Sequence, residues 1–162
     1  MLIDLGYLTV PPGVYFSGSF TVSAWVKVNS IRDMARIIDF GNGPESNNVY
    51  FGVSLSTSGK PFVGILPNGV RYIASSQALS NYYWYHLTGI YDGAYIKIYQ
   101  NGKLEGQVAV LGPQNVIRNI NYVGKSSWAS NSLADEYLSD LRIYDRALNY
   151  TEIQNNMNDI NF

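Results

Sequence analysis

Along most of this chain apolar and polar residues alternate with a period of two rather than 3.6, the spacing of strands that bury one face. The run Phe20-Thr-Val-Ser-Ala-Trp-Val-Lys-Val28 puts Phe20, Val22, Ala24, Val26 and Val28 on one face and Thr21, Ser23, Trp25 and Lys27 on the other. Similar runs are Leu2–Thr9, Ala35–Phe40, Val49–Ser54, Phe62–Leu66, Val70–Ser75, Tyr85–Tyr91, Tyr95–Gln100, Lys103–Val110, Asn119–Gly124 and Leu138–Tyr144. Asn68-Gly69, Asp92-Gly93 and Asn101-Gly102 stand between such runs and predict type I′ hairpin turns, hence antiparallel pairing. Roughly ten short strands have more apolar faces than one sheet can seal, so the pattern predicts two antiparallel sheets packed as a sandwich. One helix is expected: Asn149-Tyr-Thr-Glu152 has the form of a capping box, followed by Ile153 and Met157 at i,i+4 spacing, and this helix should lid a sheet. With no repeat or linker, residues 1–162 read as a single domain.

Charge narrows the function. Charged residues make up only 14% of the chain, with 11 Lys+Arg against 12 Asp+Glu, whereas aromatic residues reach 14% and include 14 tyrosines. The surface must therefore be built largely from Asn, Ser, Gly and Tyr, groups that suit neutral polar ligands and adhesive contacts. No basic cluster is present to release counterions from a phosphate backbone, so nucleic acid is not expected as a partner. The apolar runs fall short of the roughly 20 residues of a membrane span, and the N-terminus lacks a signal-peptide pattern, so any export signal is expected outside this chain. There is no cysteine for a disulfide or a zinc site, and His86 stands alone.

Six ordered blocks carry a family resemblance: Phe20-Thr-Val-Ser-Ala-Trp-Val-Lys27, Tyr83-Trp-Tyr-His-Leu-Thr88, Tyr91-Asp-Gly93, Ile96-Lys-Ile-Tyr-Gln-Asn-Gly-Lys103, Tyr122-Val-Gly-Lys125 and Asp140-Leu-Arg-Ile-Tyr-Asp-Arg-Ala-Leu148. Together they resemble the laminin G-like branch of the concanavalin A-like lectin/glucanase superfamily. The resemblance implies an all-β jelly-roll β-sandwich, often with a structural calcium ion. It also implies a module of an extracellular, cell-surface or virion protein, often one that recognises glycans. By resemblance Asp140 matches the family's acidic position on the last core strand, and Asp4, with carbonyls near Gly41-Asn42, would complete a calcium site. The alternative for Asp140 is an ion pair with Arg142 or Arg146.

Hydrolysis is not expected. The superfamily's glucan-cleaving members are similar to one another in a Glu-x-Asp-x-x-Glu strand motif, which this chain lacks. Glu136 and Asp140 would share a face of an extended strand about 13 Å apart, too far for either glycosidase geometry. They read instead as solvated carboxylates or metal ligands. Sugar recognition needs aromatic rings for stacking and planar amides for hydroxyl pairs. Trp128, in the polar loop that starts at Lys125, is the leading contact, and Asn42 and Asn47 of the loop Gly41–Asn48 form a neighbouring rim or simply turn the chain. Tyr95, Lys97 and Tyr99 alternate with Ile96 and Ile98 and offer an outward row, either a stacking platform or a solvated face. The expected function is a non-catalytic carbohydrate-binding module. Its alternative is a protein–protein adhesion or assembly domain, and open edge strands permit homo-oligomers in either case.

Overall fold

The computed structural model of the chain describes residues 2–66 and 71–159, and of residues 2–4 and 71 the backbone only. Its strands are β1 (Leu2–Asp4), β2 (Leu8–Val10), β3 (Phe20–Val28), β4 (Arg36–Gly41), β5 (Val49–Gly52), β6 (Phe62–Ile65), β7 (Arg71–Ala74), β8 (Trp84–Tyr91), β9 (Tyr95–Gln100), β10 (Lys103–Ala109), β11 (Ile120–Val123) and β12 (Asp135–Tyr144), followed by α1 (Tyr150–Asn158). They form two six-stranded sheets, sheet A in the order β1-β12-β3-β8-β9-β10 and sheet B in the order β2-β11-β4-β5-β6-β7. Every pairing is antiparallel. The fold is the all-β jelly-roll sandwich that the alternation implies.

The main core is the set of inward positions of both sheets. Phe20, Val22, Ala24, Val26 and Val28 of β3 meet Ile37, Ile38 and Phe40 of β4, Phe51 of β5 and Val63 of β6, while Ile96 and Ile98 close the β9 side. A second, smaller core lies on the outer face of sheet A, where Leu148 and Ile153 of the C-terminal segment cover Ile90, Tyr99 and Tyr144. The helix starts as expected: Asn149 accepts a bond from the Glu152 N–H and the Glu152 side chain returns to the Asn149 N–H, a complete capping box.

Several details depart from the alternation. The run Leu2–Thr9 is two strands in different sheets, because Leu5 adopts φ +49° and turns the chain from sheet A to sheet B. Asn101-Gly102 has both φ values positive, as a type I′ turn requires, but at Asp92-Gly93 only Gly93 is left-handed. There the Asp92 carboxylate accepts the N–H groups of Ala94 and Tyr95 and shapes a three-residue turn instead. Asn68-Gly69 lies outside the described residues.

The largest correction concerns the acidic cluster on β12. A bulge between Ser139 and Arg142, with Asp140 at φ +53°, breaks the two-residue period, so Glu136 and Asp140 do not share a face. Glu136 pairs in register with Val28 and is fully buried, neither a solvated carboxylate nor a neighbour of Asp140. The Asp140 carboxylate is part-exposed and bound to the Arg142 Nε at 2.7 Å.

Candidate ligand-binding face

The outer face of sheet B holds two of the contacts expected from sequence, Trp128 and Lys125. Register sets Tyr122 beside Asp39, Asp39 beside Tyr50, Tyr50 beside Gly64 and Gly64 beside Tyr72, one row across five strands. A bulge between Arg36 and Ile38 sends both Ile37 and Ile38 into the main core, so Arg36 and Asp39, three residues apart, both face outward. In an unbroken strand they would lie on opposite faces.

Neither charge reaches water: Arg36 is 2% exposed and Asp39 0%. The Arg36 guanidinium lies 4.8 Å from the Tyr50 ring, 4.6 Å from Phe62 and 5.9 Å from Trp128. It donates to the Met34 carbonyl at 2.9 Å, and its Nε stands 3.8 Å from Asp39. Asp39 accepts the Ser127 N–H at 2.9 Å and the Asn48 amide at 2.8 Å, with the Ser126 and Ser127 hydroxyls at 3.4 and 3.3 Å. Burial pushes the Asp39 carboxyl up and the Arg36 guanidinium down; hydrogen bonds from Ser127 and Asn48 and the Arg36 charge oppose the first shift, and the Asp39 charge opposes the second. The Tyr50 hydroxyl is pushed up to about 12 by burial and stays neutral.

Asp39 thus ties the loop after β11 to the loop after β4, the two rims expected from sequence. Trp128 is not a free surface ring as the polarity of its neighbours suggested. It is half-buried and packs with Tyr50, Phe62 and Leu66, its ring edge-on to Tyr50 at 6.1 Å. Arg36 beneath it supplies a reason for burial that no local pattern contains. Lys125 at the base of the loop stands over Tyr7 and Tyr122, 4.2 and 4.7 Å from their centroids. Asn47 lies in the facing loop at φ +58° with its carbonyl on Arg118. Asn42 is spent on structure: it donates to the Ile117 carbonyl and accepts from the Asn119 backbone and side chain.

The structure therefore brings Trp128 and Lys125 to one face, sets Asn47 in the loop that its neighbour Asn48 ties to Asp39, and leaves Tyr95 and Tyr99 on the other sheet. The two rings share the outward side of β9, Tyr95 exposed beside the Asp92 turn and Tyr99 packed under α1, with Lys97 between them paired to Asp92. Tyr72, 44% exposed at the far end of the sheet B row, was not singled out from sequence. Its alternation with Ile73 is the signal that marks it.

Asp140 and Asp4 do not fit one calcium site. The backbone of Asp4 stands beside Asp135, five residues along β12 from Asp140 and roughly 16 Å away in extended chain. Ligands of one ion lie within about 2.6 Å of it. The Asp4 side chain lies outside the described residues, and among those described no three His, Cys, Asp or Glu side chains gather. His86 is buried on the outer face of sheet A, edge-on to Trp25 at 5.4 Å, and burial holds it near pKa 4.

Comparison with known proteins agrees with this architecture. The family model described as the concanavalin A-like lectin/glucanases superfamily matches residues 5–154. No curated protein matches the chain. Among solved structures, domain 4 of AbnA, an extracellular arabinanase of Geobacillus stearothermophilus in complex with arabinotriose, superposes with a TM-score of 0.74 at 15% identity over 96% of this chain and 75% of that one. A structure of NanB gives 0.75 at 14% identity over 96% of this chain and 26% of its own. One of botulinum neurotoxin type C, whose cell entry depends on two ganglioside molecules, gives 0.66 at 18% over 90% and 36%. The chain thus spans three quarters of the first and about a third or less of the other two. At these identities the likeness is one of fold.

Proposed function

This chain belongs to the concanavalin A-like lectin/glucanase superfamily, and from that premise we propose that it is a non-catalytic carbohydrate-recognition module reading glycans on the outer face of sheet B. The observation that carries the reading is the buried Arg36–Asp39 pair under Trp128. Burying two charges costs several kcal/mol each before their partners repay it, and an apolar pair would seal the same space more cheaply. What the pair does achieve is to lock an indole, the Ser126-Ser127 turn and the loop of Asn47 in one geometry, which is what a recognition site needs. Trp128 and Tyr72 then offer ring faces for sugar CH groups, with Lys125 and Asn47 addressing hydroxyls.

The same groups argue against hydrolysis. Among the described residues the two wholly buried acids, Asp39 and Glu136, belong to different sheets, one facing outward beneath a loop and one facing into the core. They do not flank a common cleft. Two of the solved structures that share this fold are associated with saccharides, arabinotriose for the arabinanase domain and gangliosides for the neurotoxin. An extracellular, cell-surface or virion setting accords with this reading.

A glycan array of neutral and sialylated oligosaccharides, with arabinan fragments included, tests it. Trp128→Ala and Tyr72→Ala should each lower binding at least tenfold; Tyr72, being the more exposed, separates contact from stability. Glycan binding by both variants at parental strength refutes the site. No binding to any glycan would favour adhesion or assembly, and one feature supports that second reading: Leu5, Tyr7 and Leu8 are exposed together beside edge strand β2, where another chain, including a second copy, would pair.

A further inference from the structure

Sheet A carries an open cleft of its own. Helix α1 and the β9–β10 hairpin enclose about 460 Å³ lined by Tyr99, Asn101, Lys103, Leu104, Tyr150 and Gln154, within the size range of small-ligand pockets. Both walls are rigid for identifiable reasons. The hairpin tip is pinned because the Asn101 N–H donates to the His86 carbonyl at 2.7 Å while the Asn101 side chain accepts the His86 N–H at 2.9 Å. The helix wall is set by its capping box and by Leu148 and Ile153 against Ile90 and Tyr99.

Gly102 joins the two walls. Its φ of +75° suits glycine, and a methyl there would stand 2.1 Å from Gln154 Nε2. Without that methyl the Gln154 amide reaches over the tip, 3.4 Å from the Gly102 carbonyl, a long bond that a better acceptor would displace. Tyr150, one turn away, is 66% exposed although it is a large ring on a well-anchored helix.

The lining decides the ligand class. Among the described residues that line it none carries a carboxylate, so the cleft does not suit a cation, and the Lys103 ammonium is already paired with Glu105 at 3.1 Å. What remains is two phenol rings, one leucine, the Gln154 amide and the Nδ2 of Asn101: flat apolar surface for CH faces, a paired donor and acceptor on Gln154 and a further donor on Asn101 for hydroxyls. We propose that this cleft is a second saccharide site, taking one neutral sugar ring against Tyr150 and Tyr99, with Gln154 and Asn101 addressing its hydroxyls. It is separate from the sheet B face and does not depend on it.

The test is a titration of the ¹⁵N-labelled full chain with arabinotriose, xylotriose and maltotriose to millimolar concentration, followed by amide shifts. At least one sugar should shift the amides of residues 99–104 and 150–154 on a saturating curve. Tyr150→Ala should weaken that curve at least tenfold, and Gln154→Ala should do so more mildly, with amides of residues 125–131 responding as in the parent. Loss of response at residues 125–131 alone would remove the Trp128 face and leave this cleft standing. Absence of shifts at residues 99–104 and 150–154 with all three sugars, or unchanged affinity in a folded Tyr150→Ala together with Gln154→Ala, overturns the proposal.

Discussion

Replacing Glu136 by Gln should flatten the alkaline side of the stability profile. Glu136 is 0% exposed at the β12 end of the main core, and neither carboxylate oxygen has a partner among the described residues. Burial, helped by the neighbouring Asp135 charge, holds its pKa at about 8 against an ordinary 4.5. Below pH 4.5 the group is neutral folded and unfolded, and costs nothing by linkage. Between 4.5 and 8 the unfolded chain gives up this proton while the folded chain keeps it, so stability falls with rising pH; above 8 the loss is complete. At about 1.36 kcal/mol for each tenfold change in proton affinity, the penalty is roughly 3 kcal/mol at pH 7 and approaches 5 kcal/mol above pH 8. Against a domain stability of about 5–15 kcal/mol this is a large fraction. Urea unfolding of the parent and Glu136→Gln at pH 5, 7 and 9 measures it, because every other titrating group is common to both chains and cancels in the difference. The amide carries its own burial cost, but that cost does not change with pH. The variant should gain about 4 kcal/mol on the parent from pH 5 to 9. Parallel profiles would refute the reasoning and mean that water or a cation already satisfies the carboxylate.

The acid limb belongs to His86, whose pKa is lowered to about 4 mainly by burial, with the Arg142 charge adding to that and the Asp140 charge opposing it. A base with a depressed folded pKa is destabilising once the unfolded chain takes up its proton, so the parent should lose about 3 kcal/mol more than His86→Gln between pH 7 and pH 4; equal losses would contradict it. Gly64→Ala sets a methyl 2.3 Å from Tyr50 Cζ in the middle of sheet B and should cost about 1–3 kcal/mol, read as a lowered Tm. An unchanged Tm would mean that the Tyr50 ring is not held over Gly64.

How much of this could be read in advance divides along the sheets. Alternation alone identified nearly every strand, because a side chain's face in a regular strand depends only on whether its position is odd or even. It placed Phe20 through Val28 correctly without knowing what they would meet. The capping box at Asn149 and the turn at Asn101-Gly102 were equally legible, since both are contracts between residues at most three apart.

The sequence by itself thus determined the sandwich, the helix and the neutral, tyrosine-rich surface. The tertiary structure alone decided the site. Bulges at Arg36–Ile38 and Ser139–Arg142 shift the parity of everything beyond them, and each sets one extra residue of its strand against the partner strand, which no single strand's pattern records. Arg36, Asp39 and Trp128 look unrelated in the chain. They meet because β4, β5 and β6 pair side by side and the loop after β11 folds across them, and the energy of a buried charge is set by what surrounds it in space, not by what precedes it in sequence.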